Sequence, residues 1–229
     1  MQPQYQTIGS SSQIAVSQNR VLRNTYLLLA ISLIPTVIGA AIGVRTGFSF
    51  FAGSPLISFV VFLAVAFGFF WGIERNKNSG LGVALLLGFT FFMGLMLSRI
   101  LQVALGFSNG GTMIAMAGAG TSAIFLTLAG IATVTKRDFS FMGKFLFIGM
   151  IVALLAALAN IFLQIPALSL TISAAVVMIF SAYILYDVSR IVTGGETNYV
   201  SATLALYLDI YNVFTSLLHL IMAFSGDRD

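Results

Sequence analysis

Two stretches near the end of the chain decide its fold. They are Leu168–Val192, LSLTISAAVVMIFSAYILYDVSRIV, and Thr203–Phe224, TLALYLDIYNVFTSLLHLIMAF. A hydrocarbon core of about 30 Å takes about 20 apolar residues of α-helix to cross, and each stretch is that long. Gly194-Gly195-Glu196-Thr197-Asn198 between them is short, so the two spans are expected to be antiparallel neighbours. Each carries one acid, Asp187 and Asp209. An acid near the bilayer centre costs about 2.5–3.5 kcal/mol on insertion scales, so the pair needs a reason to be there.

Five further segments of the same kind precede them: Asn24–Val44, Pro55–Ile73, Gly80–Gln102, Thr112–Val134 and Phe141–Leu163. Across the 229 residues 59% are hydrophobic and 8% charged. A soluble domain carries about 25% charged residues. So few charges cannot cover a surface facing water, and lipid must replace water around most of the chain. The expected fold is an all-α integral membrane protein, one bundle of seven transmembrane helices. Residues 21–229 make that membrane domain. Residues 1–20, MQPQYQTIGSSSQIAVSQNR, are polar and have no apolar core. They read as a disordered cytoplasmic tail rather than a cleavable signal peptide.

Orientation follows from the Lys and Arg positions, because cytoplasmic loops retain positive charge. With the N-terminus inside, Arg20, Arg23, Arg75, Lys77, Lys136, Arg137, Lys144 and Arg190 fall on the cytoplasmic side. Arg45, Arg99 and Arg228 fall on the other. Eight against three predicts a cytoplasmic N-terminus and, by the parity of seven spans, a periplasmic C-terminus. Small residues four apart, Gly39 with Gly43 and Gly68 with Gly72, are expected to let helix backbones approach closely.

Several functions are excluded. The basic residues form no stripe and no nucleic-acid reader motif. No cysteine is present, and His219 is the single histidine, which removes thiolate and His-rich metal sites. There is no Gly-x-Ser-x-Gly elbow and no Walker sequence. Leu206-Tyr207-Leu208-Asp209 lacks the glycines of an intramembrane aspartyl protease. The expectation is a non-enzyme without a resident cofactor.

Asp187 lies about five residues before the end of its span and Asp209 about six after the start of the next. At 1.5 Å per residue both sit roughly 8 Å inside the boundary on the same side. Two carboxyls that touch in a low dielectric cannot both ionise cheaply, so they share a proton and titrate as one unit. Protonated, such a pair is a hydrogen-bonded latch. Deprotonated, it repels or admits a cation. The alternative is two acids in separate polar pockets, or acids that snorkel to the interface. Asn212, Ser216 and His219 continue the face of Asp209 at spacings of three, four and three. A polar stripe of this kind faces the bundle interior or a wet path, although His219 alone reads better as a packing histidine. Tyr183 and Arg190 share the face of Asp187, and Arg190 is either its counter-charge or an inside-positive anchor. Together these residues are the expected pH-sensing and cation-path set.

The runs Tyr183-Ile184-Leu185-Tyr186-Asp187 and Ala205-Leu206-Tyr207-Leu208-Asp209-Ile210-Tyr211-Asn212 resemble the acid-bearing helices of the Bax inhibitor-1 family. Thr121-Ser122-Ala123-Ile124-Phe125 is similar to another of its signatures. The resemblance covers the chain from about Val21 onward. Val21–Tyr26, Ala159–Gln164 and Gly194–Tyr199 are similar to the bacterial subgroup that modulates the FtsH protease. That resemblance implies a multi-pass protein of the bacterial inner membrane, partnered by lipid and by FtsH. Other bacterial members imply a pH-sensitive calcium leak governed by two aspartates, at the positions of Asp187 and Asp209. They also imply an arginine of the second helix that pairs with those acids, and the nearest match here is Arg75.

Overall fold

The computed structural model describes residues 6–50 and 55–225, with side chains described from residue 18 on, Pro55 and Leu56 apart. Seven long helices follow one another: α1 Gln6–Thr46, α2 Pro55–Asn76, α3 Gly80–Leu105, α4 Gly110–Thr135, α5 Gly143–Leu163, α6 Pro166–Thr193 and α7 Tyr199–Ser225. Each holds a segment long and apolar enough to cross a membrane. The expected spans fall on these helices, except that Phe141 and Met142 at the start of the fifth lie in a short 3-10 turn before α5, and the helices extend a turn or less beyond the spans at most other ends. The larger extension is at the start of α1. It reaches back to Gln6, into the stretch expected to be a disordered tail, while the apolar span begins only at Gln18. Low hydrophobicity argues against burial, not against lengthening a helix already nucleated, which costs little per residue. Met1–Tyr5 lie outside the described residues.

Short connections carry the chain back and forth. Pro166 opens α6, where its missing N–H is no loss, directly after Gln164 closes α5 in the left-handed conformation (φ 51°). Asn160 accepts the Ile165 amide at 3.0 Å and so caps the same turn. Between α4 and α5, Asp138 accepts the Ser140 amide at 2.8 Å, and that bond holds its carboxyl below the ordinary carboxylate range.

α7 is the central helix and touches α1, α2, α3, α4 and α6. Lipid tails are as apolar as leucine, so helices in a bilayer associate by close packing and interhelical hydrogen bonds rather than by escape from water. Both are present on the α1–α3–α7 side. Gly39 of α1 lies against the Phe91 carbonyl of α3, and Gly94 of α3 lies against the Thr36 carbonyl of α1. Neither site has room for a Cβ. Gly43 meets the Ser98 side chain. The second glycine pair behaves differently from expectation. Gly72 faces Leu85 of α3, but a Cβ at Gly68 would meet open space, so Gly68 is no helix contact. Aromatic rings bind α2 to α3 instead, with Phe70 and Phe89 centroids 5.3 Å apart.

Hydrogen bonds then tie α7 to this pair. Thr203, Tyr207 and Tyr211 are four apart on α7 and reach Thr25 O, Thr36 Oγ1 and Met93 O respectively. Tyr207 is 1% exposed, and its hydroxyl lies 2.8 Å from Thr36 Oγ1 and 3.4 Å from Thr90 O. Removing that hydroxyl in Tyr207→Phe is expected to cost about 0.5–1.5 kcal/mol, the range of single interhelical hydrogen bonds in membranes. The loss is modest because Thr36 keeps its bonds to Ser32 O and Thr90 O. Thermal unfolding in micelles reads it, and an unchanged midpoint would show that the seam contributes no stability.

Candidate functional site

α6 and α7 pack along their lengths and bring their acids together. The Asp187 and Asp209 carboxyls are hydrogen-bonding neighbours. A bond between two carboxyl groups requires one of them to carry the proton, since an ionised carboxylate only accepts. Asp209 is 4% exposed, and its Oδ2 is buried with no hydrogen-bond partner among the described residues. Asp187 is less enclosed, its side chain 13% exposed toward the end of α6. The pair is thus asymmetric: one acid lies deep in protein, and the other lies between it and a polar rim.

That rim is built from the loops. Arg190 Nη1 stands 3.8 Å from Asp187 Oδ1, and Nη2 stands 3.8 Å from Glu196 Oε2 and donates to Gly195 O at 3.3 Å. Its guanidinium also lies over the Tyr186 ring, 5.6 Å from the centroid. Arg190 is therefore both a counter-charge of the acid site and tied to the loop that follows α6. Gly194 closes α6 at φ 85°, a left-handed turn for which glycine is suited.

Asn198 starts α7 by accepting the Val200 and Ser201 amides, the work of an N-cap. Its amide nitrogen reaches across to Asn78 Oδ1 at 2.7 Å and Lys77 O at 3.3 Å. Ser201 donates to Glu74 Oε2 at 2.9 Å, and Glu74 is also paired with Lys77. The α2–α3 turn is thereby fastened to the start of α7, about two turns from the acids.

Of the expected residues, the structure brings Tyr183, Asp187, Arg190 and Asp209 into one site. Tyr183 lies within electrostatic reach of both carboxyls. The rest of the stripe does other things. Asn212 donates to Leu208 O of its own helix at 2.8 Å. Ser216 is buried further along α7. His219 Nδ1 lies 2.8 Å from Ser173 Oγ of α6, a helix-to-helix link. It stands ten residues past Asp209, about 15 Å away along the axis. Arg75 is exposed, and its guanidinium lies over Trp71 of its own helix at 5.1 Å. Among the described residues no ion pair joins Arg75 to either acid, and the arginine beside Asp187 is Arg190.

Sequence reasoning missed Glu196, Asn198 and Ser201 of the rim, and Thr36, Thr90 and Tyr207 of the buried seam. The seam had a signal: Thr203, Tyr207 and Tyr211 repeat every four residues on the α7 face opposite the acid. The rim had only its length, since polar loop residues are expected at any interface.

The chain was compared with known proteins. A model of the family described as inhibitor of apoptosis-promoting Bax1 matches residues 18–226. An uncharacterised protein of Neisseria meningitidis is 42% identical over 93% of this chain and 94% of its own length. An uncharacterised membrane protein of Vibrio cholerae is 40% identical over 94% of each. The modulator of FtsH protease YccA of Escherichia coli is 38% identical over 93% of this chain and 94% of its own. A second Escherichia coli strain carries its counterpart under the name inner membrane protein YccA. Seven apolar helices and relatives of this kind make the chain a multi-pass inner-membrane protein. With a family match over nearly its whole length and relatives alike from end to end, the chain belongs to the Bax inhibitor-1 family.

Proposed function

We propose that this protein is a regulatory, non-enzymatic component of the inner membrane that binds the ATP-dependent protease FtsH and restrains it. The observation that carries the reading is 38% identity over 93% of the chain to a relative named as the modulator of that protease. The N-terminus is cytoplasmic and the C-terminus periplasmic in this reading, as the distribution of Lys and Arg favours. Residues 6–17 of α1, which precede the apolar span, then reach into the compartment where a protease could engage them. Affinity purification of the tagged chain from native membranes should bring down FtsH, and deleting the gene should shorten the half-lives of FtsH substrates. No association together with unchanged half-lives would remove the proposal.

A second reading rests on the acid pair. Asp187 and Asp209 form a proton-gated path for cations, calcium among them, with the loop rim over its entrance. Calcium takes six to eight oxygen ligands. Two carboxyls cannot supply that number, so calcium here is a passing ion and not a resident one. Purified protein in calcium-free liposomes should then admit calcium, more at high pH, where the latch is unprotonated, than at low pH. Liposomes that stay tight at every pH would leave only the regulatory reading.

A further inference from the structure

α1 and α4 both pack on α7 and meet each other through side chains, the Tyr26 and Phe125 rings lying 5.9 Å apart, while their backbones stay separate, which leaves a trench between them floored by α7 and α3. Three cavities occupy it in sequence. One of about 260 Å³ lies beside Tyr26 and Phe125, one of about 240 Å³ beside Leu33, Gly118 and Tyr211, and one of about 440 Å³ runs from Thr36 to Arg45. Neighbouring cavities share lining residues, so the trench is continuous.

The largest has a distinctive shape and chemistry. Its α1 wall runs from Thr36 to Arg45, about 14 Å of helix. That is half of a hydrocarbon core of about 30 Å, the depth of one leaflet. Ala40 and Ala41 make the wall low, and Leu97, Leu101 and Phe214 close the back, so the lining is almost wholly carbon. At its mouth stands Arg45, exposed and, among the described residues, in no ion pair. The same face of the bundle holds Arg99, whose guanidinium donates to Ser49 Oγ at 3.3 Å. Among the described residues this face carries no acid.

We propose that this half-groove binds an anionic phospholipid, with an acyl chain lying between α1 and α4 and the headgroup phosphate on Arg45. A partner helix fits the observations less well. It would set a further apolar surface against Arg45, the cation at the mouth of the largest cavity, and leave that charge without a counter-charge. A guanidinium grips a phosphate through paired N–H donors.

The test compares wild type, Arg45→Gln and Ala41→Phe after exchange into mixed micelles of phosphatidylglycerol and phosphatidylethanolamine, with bound lipid counted by native mass spectrometry. Both substituted positions are exposed, and matched unfolding midpoints confirm that the variants fold. Wild type should retain phosphatidylglycerol about fivefold over phosphatidylethanolamine, the effect of one basic side chain at a membrane surface. Arg45→Gln should erase that preference, and Ala41→Phe should lower retention of both lipids. No preference in wild type, or variants that bind as wild type does, would overturn the proposal. A photo-crosslinker at position 41 in cell membranes should label lipid. Labelling of a second copy of the chain, or of another protein in place of lipid, would also overturn it.

Discussion

Gly94→Leu is expected to unfold the bundle, and Gly94→Ala to destabilise it by about 3 kcal/mol, the upper part of the range for overpacking a tight core. Gly94 faces the Thr36 carbonyl and the Ala40 amide nitrogen, so an added methyl meets backbone rather than a side chain that can turn away. Relief requires α1 and α3 to separate. That would also pull Thr36 from Thr90 O and from the Tyr207 hydroxyl, because both bonds depend on the close approach. The comparison is Gly68→Ala, where a Cβ meets nothing within 4 Å. That change should be neutral or stabilise by up to about 1 kcal/mol through helix propensity. Unfolding midpoints of the three variants in one detergent decide it. Similar destabilisation by the alanine at both positions would show that the α1–α3 approach has no special role.

Asp209→Asn is expected to remove the response to protons while leaving the fold intact. An amide at that position offers Asp187 an N–H donor at every pH, so the link between α6 and α7 no longer depends on a shared proton. Calcium entry into proteoliposomes should then stay at the low-pH level of wild type from about pH 5 to pH 8. Asp209→Leu should go further. It removes a buried oxygen that has no partner, at the loss of the bond to Asp187, which keeps Arg190 beside it. An unsatisfied buried polar group costs about 1–3 kcal/mol and a hydrogen bond contributes about 0.5–1.5 kcal/mol, so this variant should be more stable than wild type by about 1 kcal/mol. A stabilised protein without a proton response would mark Asp209 as a residue kept for function at the expense of stability. If Asp209→Asn conducts and titrates as wild type does, the latch reading is lost, and the family membership is untouched.

The seven spans and the meeting of the two acids were legible because both follow from length and rise alone. The α6–α7 connection is short, so equal depth on antiparallel neighbours becomes proximity. The partner arginine was not legible. Arg75 lies at the same end of the bundle as the acids, but which way it points depends on the rotation of α2. The Phe69, Phe70 and Phe89 contacts set that rotation. Pairing within a helix is easier to foresee: Arg190 is three residues from Asp187, one turn along the same face. The polar stripe of α7 was placed on one face correctly, yet a shared face is no continuous path. Asn212 turns to its own backbone and His219 to Ser173. Glycine spacing was half informative for a related reason. Gly39, Gly43 and Gly94 meet a neighbouring helix, whereas Gly68 has the same spacing and meets none.

α5 touches only α6 and the short 3-10 turn before it, and Leu146 is its one buried residue among those described. Phe145, Ile148 and Phe162 point almost wholly outward. Such a helix adds little to the interior. Its contribution is one of threading: it returns the chain to the far side of the bilayer so that α6 and α7 enter in the order that sets their acids level. Its sequence should accordingly drift freely among greasy residues of any shape, while its length, which fixes where the next helix begins, is held constant.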